Sequence, residues 1–228
     1  MSSNCLDSIV IQQAGQRPDR LILLFHGVGS SPESMLPLGH RLAAEFAHAT
    51  VVSVASPFAS DISAGYQWFS VQGVTEKNRV ERVATAMTTF LAEVRSWQER
   101  EDATASTTVL VGFSQGAVMA LEATSKHPSP AARVVAIAGR FAALPAETAQ
   151  HTSLHLLHGK LDAVISYRFA VETAQYLLGI GGDVTVDVLP FVGHEINVDI
   201  IELTVRHLQN HVPKVLWEEA LSVKTNKA

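Results

Sequence analysis

The stretch TTVLVGFSQGAVMALEA, from Thr107 to Ala123, sets one serine between a run of strand formers and a run of helix formers. Within it, Gly112-Phe113-Ser114-Gln115-Gly116 is a G-x-S-x-G pattern. A tight turn from strand into helix forces its central residue into a strained backbone conformation, and flanking glycines remove side chains that would collide there. Ser114 would then stand at the carboxyl end of a strand, where open α/β sheets bind ligands. A five-residue match is a weak signal by itself. The strand before it and the helix after it supply the context that the chemistry of a nucleophile needs.

A serine hydroxyl attacks poorly without a base. His194, in LPFVGHEINVD, follows the last strand-like run, is preceded by Gly193 and comes just before the final helical pattern, which suits a general base. The imidazole in turn needs an acid to hold its tautomer. In LHLLHGKLDAVIS, Asp162 lies just past a strand and before a helix; an N-cap role is open to it, although Ser166 serves that better. An oxyanion needs backbone donors. Gln115 opens a helix, so its N–H points free at the site with the helix's positive end behind it. In LLFHGVGSSPESM, Gly27 and Gly29 let backbone approach a ligand; the Val28 N–H is the choice for the second donor, with Gly29 as the alternative.

The other histidines read differently. His40, His48, His207 and His211 fall on helical patterns as surface or packing residues, and His127 sits at a helix end beside Pro128. His151, His155 and His158 invite a metal reading, which spacing opposes. His155 and His158 point to opposite faces of a strand, and His151 and His155 would be about 13 Å apart. No metal site and no cofactor are expected.

Apolar, β-branched runs alternate with helical periodicity. Strands are expected at 7–13, 20–25, 50–55, 107–113, 133–139, 153–159 and 183–190. Several are continuously apolar, as for parallel strands covered on both faces. Helices are expected at 35–47, 78–101, 115–126, 167–178 and 196–210. The pattern predicts a single α/β domain over 1–228. Its mostly parallel sheet has about seven strands, with helices on both faces and no large lid. The last residues, 218–228, read as a frayed tail. The stretch 56–77 has no sustained period, and long loops of that kind are often functional; Trp68 and Phe69 lie within it.

Hydrophobic residues make up 47% of the 228 and charged residues 17%, enough apolar material for a large core. The net charge of −5 argues against holding nucleic acid or an anionic membrane through a basic surface. The lone cysteine, Cys5, can form no internal disulfide. MSSNCLDSIVIQQ lacks the charged and apolar regions of a secretory signal, and no apolar run approaches the roughly 18 residues of a membrane span. A cytoplasmic monomer or homodimer without a stable membrane anchor is expected.

FHGVGSSPESM, GYQWFSVQG, GFSQGAVMALE, HGKLDAVIS and GHEI together resemble the carboxylesterase/phospholipase family of α/β hydrolases, which includes acyl-protein thioesterases. The likeness is greatest to small bacterial serine esterases and runs from about Leu21 to His211. The order Ser, Asp, His is that of α/β hydrolases. The resemblance implies Ser114 as nucleophile, Asp162 as acid, His194 as base and Val28 and Gln115 as oxyanion donors. It also suggests that Trp68 and Phe69 border an acyl pocket. Thioesterase members usually carry an acidic residue after that aromatic pair, where this chain has Ser70, and Arg140 in GRFAALP has no assigned role. The expected activity is cleavage of small-molecule carboxylic esters with short-to-medium acyl chains through an acyl-enzyme. The alternatives are an acyl-protein thioesterase or lysophospholipase for longer chains and, more remotely, a non-catalytic binding protein on the same scaffold.

Overall fold

A computed structural model describes residues 8–15, 17–126 and 129–225; Cys5, Asp7 and His127 lie outside them. The central feature is a seven-stranded sheet of order β1-β3-β2-β6-β7-β8-β9. Its strands are β1 (Ile9–Gln12), β2 (Arg20–Phe25), β3 (Ala49–Val54), β6 (Thr108–Phe113), β7 (Arg133–Ile137), β8 (Ser153–Gly159) and β9 (Val184–Leu189). All neighbours pair in parallel except β1, which runs antiparallel to β3 at the edge. Every residue of β3 and β8 is buried, which is why these runs are apolar or small rather than alternating, apart from His155 and His158 in β8.

The period of two along each strand sorts the core into two layers. Leu21, Leu23 and Phe25 of β2 face one side, with Val83, Met87, Phe90 and Val94 of α2 (Glu76–Arg100), most of α3 (Gln115–Thr124), and Ala170, Ala174 and Leu177 of α4 (Arg168–Gly179). Ile22 and Leu24 face the other, against Leu38 and Leu42 of α1 (Leu36–Glu45) and Ile200, Val205 and Leu208 of α5 (Val198–Asn210). Capping sets helix starts that apolar periodicity leaves loose. Thr75 and Asn78 form a reciprocal box at the head of α2, and Asn197 accepts from the Ile200 N–H, so α5 starts two residues later than its apolar pattern suggests.

Two stretches depart from the sequence reading. Within 56–77, β4 (Phe58–Ala59) and β5 (Tyr66–Gln67) make a small antiparallel hairpin. The stretch read as a frayed tail is helical as far as Thr225, in α6 (Lys214–Thr225). The Lys214 N–H at its head donates to Asp183, which anchors the helix start to the body of the protein.

The chain lays β2 and β3 to one side and then crosses to β6, so the strand order reverses between β2 and β6. Loops leaving the carboxyl ends of these two strands diverge and open a crevice. His26, Gly27 and Val28 leave β2 there, and Ser114 leaves β6.

Candidate active site

Ser114 has φ 52° and ψ −114°, a positive φ that a residue with a side chain adopts only under constraint. The constraints are local. The Ser114 N–H donates to the Ile137 carbonyl at 2.9 Å, and the Val118 N–H to the Ser114 carbonyl at 3.0 Å. A methyl group on Gly112 would overlap the Gly116 carbonyl, and one on Gly116 would overlap the Phe25 carbonyl. Only glycine lets strand, turn and helix pack this closely, which is the physical content of the G-x-S-x-G pattern.

The Ser114 hydroxyl lies 2.9 Å from His194 Nε2, and His194 Nδ1 lies 2.7 Å from Asp162 Oδ2. His194 sits in the loop between β9 and α5, with its ring against Phe113 at 5.0 Å between centroids. Backbone bonds tie its loop to that of Asp162: Lys160 N–H donates to Leu189 and Leu161 N–H to Val192, at 2.8 and 2.9 Å. Asp162 has a fully buried side chain. Its Oδ1 accepts from the Val164 and Ile165 N–H groups, both at 2.8 Å. Burial works to raise this carboxyl. The hydrogen bond from His194, those from Ile165 and Val164 and the His194 charge outweigh it, so Asp162 titrates below the usual range.

The structure adds a partner that sequence reasoning missed. His158 Nε2 lies 3.1 Å from Asp162 Oδ2 and 2.8 Å from the Ile165 carbonyl. Both neighbours only accept, so the proton sits on Nε2 and is shared between them. Burial pushes His158 down, so it serves Asp162 as a neutral donor. Its signal was present in HGKLD, four residues ahead of the acid. His155 points elsewhere, to Thr185 at 2.9 Å, and His151 is exposed.

The backbone donors are also distinguishable. Gly29 N–H is engaged by the Tyr66 carbonyl at 2.8 Å. The N–H groups of Val28 and Gln115 have no partner among the described residues. Both residues line a cleft of about 340 Å3 that contains Ser114. The Gln115 side chain pins the neighbouring loop: Oε1 accepts from Trp68 N–H and Nε2 donates to the Phe69 carbonyl, each at 2.7 Å.

Trp68 and Phe69 separate. Phe69 lines the cleft. Trp68 does not; it is buried against Phe25 and Phe90, and its Nε1–H donates to the His26 carbonyl at 2.9 Å. Trp68 borders instead, with Phe69, a neighbouring groove beside the β4–β5 hairpin and α2, while most of its ring fills the Phe25–Phe90 layer, where burial gains most. Val71, Val74, Val118, Val164, Ile165 and Phe169 complete the apolar wall, and Glu76, Arg79 and Arg140 supply charge. Arg140 joins Glu76 at 2.7 Å and lies over the Phe169 ring at 3.8 Å. Its signal was its position, just past the carboxyl end of β7. Glu76 is held below the ordinary carboxylate range, chiefly by Arg140.

Residues 6–212 match the family of phospholipases and carboxylesterases, and the chain is 44% identical over 216 residues to esterase YpfH of Escherichia coli (strain K12), covering 95% of this chain and 93% of that protein. The chain belongs to the phospholipase/carboxylesterase family. Acyl-protein thioesterase 1 of Neurospora crassa is 24% identical over 179 residues, or 74% of this chain and 73% of that one. The fold is that of the α/β hydrolases. Esterase PE8 superposes with a TM-score of 0.83 at 25% identity, covering 90% of this chain and 99% of that one. A carboxylesterase from Mesorhizobium loti shares the fold, with a TM-score of 0.73 at 18% identity over 90% of this chain and 100% of that one. Among the described residues no helix is long and apolar enough to cross a membrane.

Proposed function

We propose that the protein is a carboxylesterase of small-molecule esters with short-to-medium acyl chains, acting in the cytoplasm through an acyl-enzyme on Ser114. His194 Nε2 takes the Ser114 proton as Oγ attacks the ester carbonyl, and Asp162 steadies the imidazolium at Nδ1. The Val28 and Gln115 N–H groups receive the charge that develops on the carbonyl oxygen; loss of one such donor costs about 2.7–4 kcal/mol. His194 then returns the proton to the leaving alkoxide as its bond to the acyl carbon breaks. Water attacks the acyl-enzyme by the same route and regenerates Ser114.

The observation that carries this reading is the relay from Ser114 through His194 to Asp162, at 2.9 and 2.7 Å, opening on a cleft with two unengaged N–H groups. Identity of 44% to a protein named an esterase supports the same reaction. The modest size of the cleft and its charged groups support the acyl-length range.

A fluorophosphonate, followed by peptide mass spectrometry, tests the nucleophile. One adduct on Ser114, absent from Ser114→Ala, is expected; no adduct on folded protein overturns the reading. A panel of 4-nitrophenyl esters then tests length, and an octanoyl ester hydrolysed far faster than acetyl or butyryl esters would refute the short-to-medium range. Two observations favour a second reading, a thioesterase or lysophospholipase for long acyl chains. One is the likeness to acyl-protein thioesterase 1. The other is a groove of about 930 Å3, lined by Trp68 and also by Phe69, between the β4–β5 hairpin and α2. Activity on a palmitoyl thioester well above that on butyryl esters would select it.

A further inference from the structure

Resting on the ester-hydrolase reading, we propose that the cleft is built for an ester that carries a carboxylate, held by Arg140 and Arg79. The wall beside Ser114 is apolar, but three charged side chains share the same cleft: Glu76, Arg79 and Arg140. Two cations face one anion there, in a chain whose net charge is −5. The local excess is therefore opposite in sign to the protein as a whole. An apolar pocket with a few fixed polar groups uses those groups to orient and select its ligand.

Arg140 is fixed by several independent contacts. Its side chain is only 12% exposed. Its Nε donates to the Phe141 carbonyl at 3.1 Å, and its Cζ lies over the Phe169 ring. Glu122, a largely buried carboxylate, accepts from the Ala142 N–H at 2.6 Å and from the Ala143 N–H at 3.3 Å, which anchors the segment just beyond. A carboxylate binds a guanidinium along its edge, with two parallel hydrogen bonds.

On Arg140 that edge is taken by Glu76, with one bond from each terminal nitrogen at 3.3 and 2.7 Å, and Nε is taken by Phe141, so the hydrogens left on Nη1 and Nη2 diverge and offer single bonds only. Arg79 commits Nη1 to Glu76 at 2.8 Å, and its Nε and Nη2 have no partner among the described residues. Glu76 is 67% exposed, whereas Arg79 and Arg140 are 20% and 12% exposed. The anion is the exposed member of the cluster and the cations are the built members. A substrate carboxylate can bind Arg79 through Nε and Nη2, or take both terminal nitrogens of Arg140 by displacing Glu76. An uncharged chain end reaching the same place would strip water from the ions and return no hydrogen bond.

The test compares kcat/KM, by alkali uptake at constant pH, for two pairs of esters. Monoethyl adipate against ethyl hexanoate puts the charge on the acyl side. Butyryloxyacetate against propyl butyrate puts it on the alcohol side. In one pair the carboxylate ester is expected to be preferred by about tenfold, the factor that 1.4 kcal/mol represents, and that pair identifies the side. Arg140→Gln and Arg79→Gln lower this preference, Arg140→Lys keeps part of it, and Glu76→Gln raises it by freeing both arginines. Opposite movements on removing a cation and an anion separate recognition from a merely structural role. Neutral esters hydrolysed as well as or better than their carboxylate partners in both pairs would overturn this inference alone. So would a preference unmoved by either Arg→Gln variant. Turnover of none of the four, with no fluorophosphonate adduct on Ser114, would overturn the ester reading and this inference with it.

Discussion

Acid should weaken this protein through its buried histidines, and His155 gives the clearest case. His155 on β8 is fully buried, with Nδ1 against Thr185 and Nε2 without a partner among the described residues. Its ring stacks on His207 at 4.7 Å and meets His211 edge-on at 4.8 Å. His207 pairs with Asp187 and His211 with Asp183. Burial, then the charges of His207, His211 and Arg133, push His155 down to about 3, against the opposing pull of Asp183. An unfolded histidine titrates near 6.5. Below that value and down to the folded one, the unfolded chain binds a proton that the folded chain refuses, so stability falls as pH falls. At about pH 4.5, two units into this window, the loss is about 2.7 kcal/mol at about 1.36 kcal/mol per unit. That is a large part of a typical total of about 5–15 kcal/mol. His155→Phe keeps an aromatic ring against His207 and His211 but cannot be protonated. Urea unfolding of both proteins, followed by tryptophan fluorescence near neutrality and at about pH 4.5, should show the wild type losing about 2.7 kcal/mol more than the variant. Equal losses within about 0.5 kcal/mol would refute the assignment of this sensitivity to His155.

Other outcomes follow from the site. In Asp162→Asn the amide oxygen can keep the two backbone donors, but its NH2 then faces His194 Nδ1 and His158 Nε2–H. His194 is driven to carry its proton toward Ser114, and kcat on 4-nitrophenyl butyrate should fall by about 10³–10⁴ with the fold retained by circular dichroism; a loss under about tenfold would argue against the relay. Gly116→Ala forces a methyl group onto the Phe25 carbonyl; activity should be lost together with a lowered melting temperature, and an active, equally stable variant would contradict the close packing. Trp68→Phe removes the donor to His26 and should cost about 1–3 kcal/mol in urea unfolding with the acyl-length profile unchanged, whereas Phe69→Ala, at the cleft wall, should change that profile.

The sequence alone determined the parts governed by local sterics and by periodicity. The G-x-S-x-G turn is legible because only glycine allows strand, serine and helix to approach so closely within five residues. The strands are legible because a parallel sheet buried on both faces demands unbroken apolar runs. Relay geometry was foreseeable once the elements were ordered, since Asp162 and His194 each follow a strand of the same sheet and emerge at the same edge as Ser114. Tertiary structure alone decided where neighbours distant in sequence compete for the same group. Gly29 is excluded as a free donor because Tyr66, across a bridge at Ser30, takes its N–H. Trp68 entered the core because Phe25 and Phe90, from a strand and a helix far apart in the chain, pack together and its ring meets both edge-on. Glu76, Arg140 and Phe169 became one cluster because the loop after β7 and the starts of α2 and α4 converge on the cleft. No spacing encodes such a meeting; it arises from how the helices pack on the sheet.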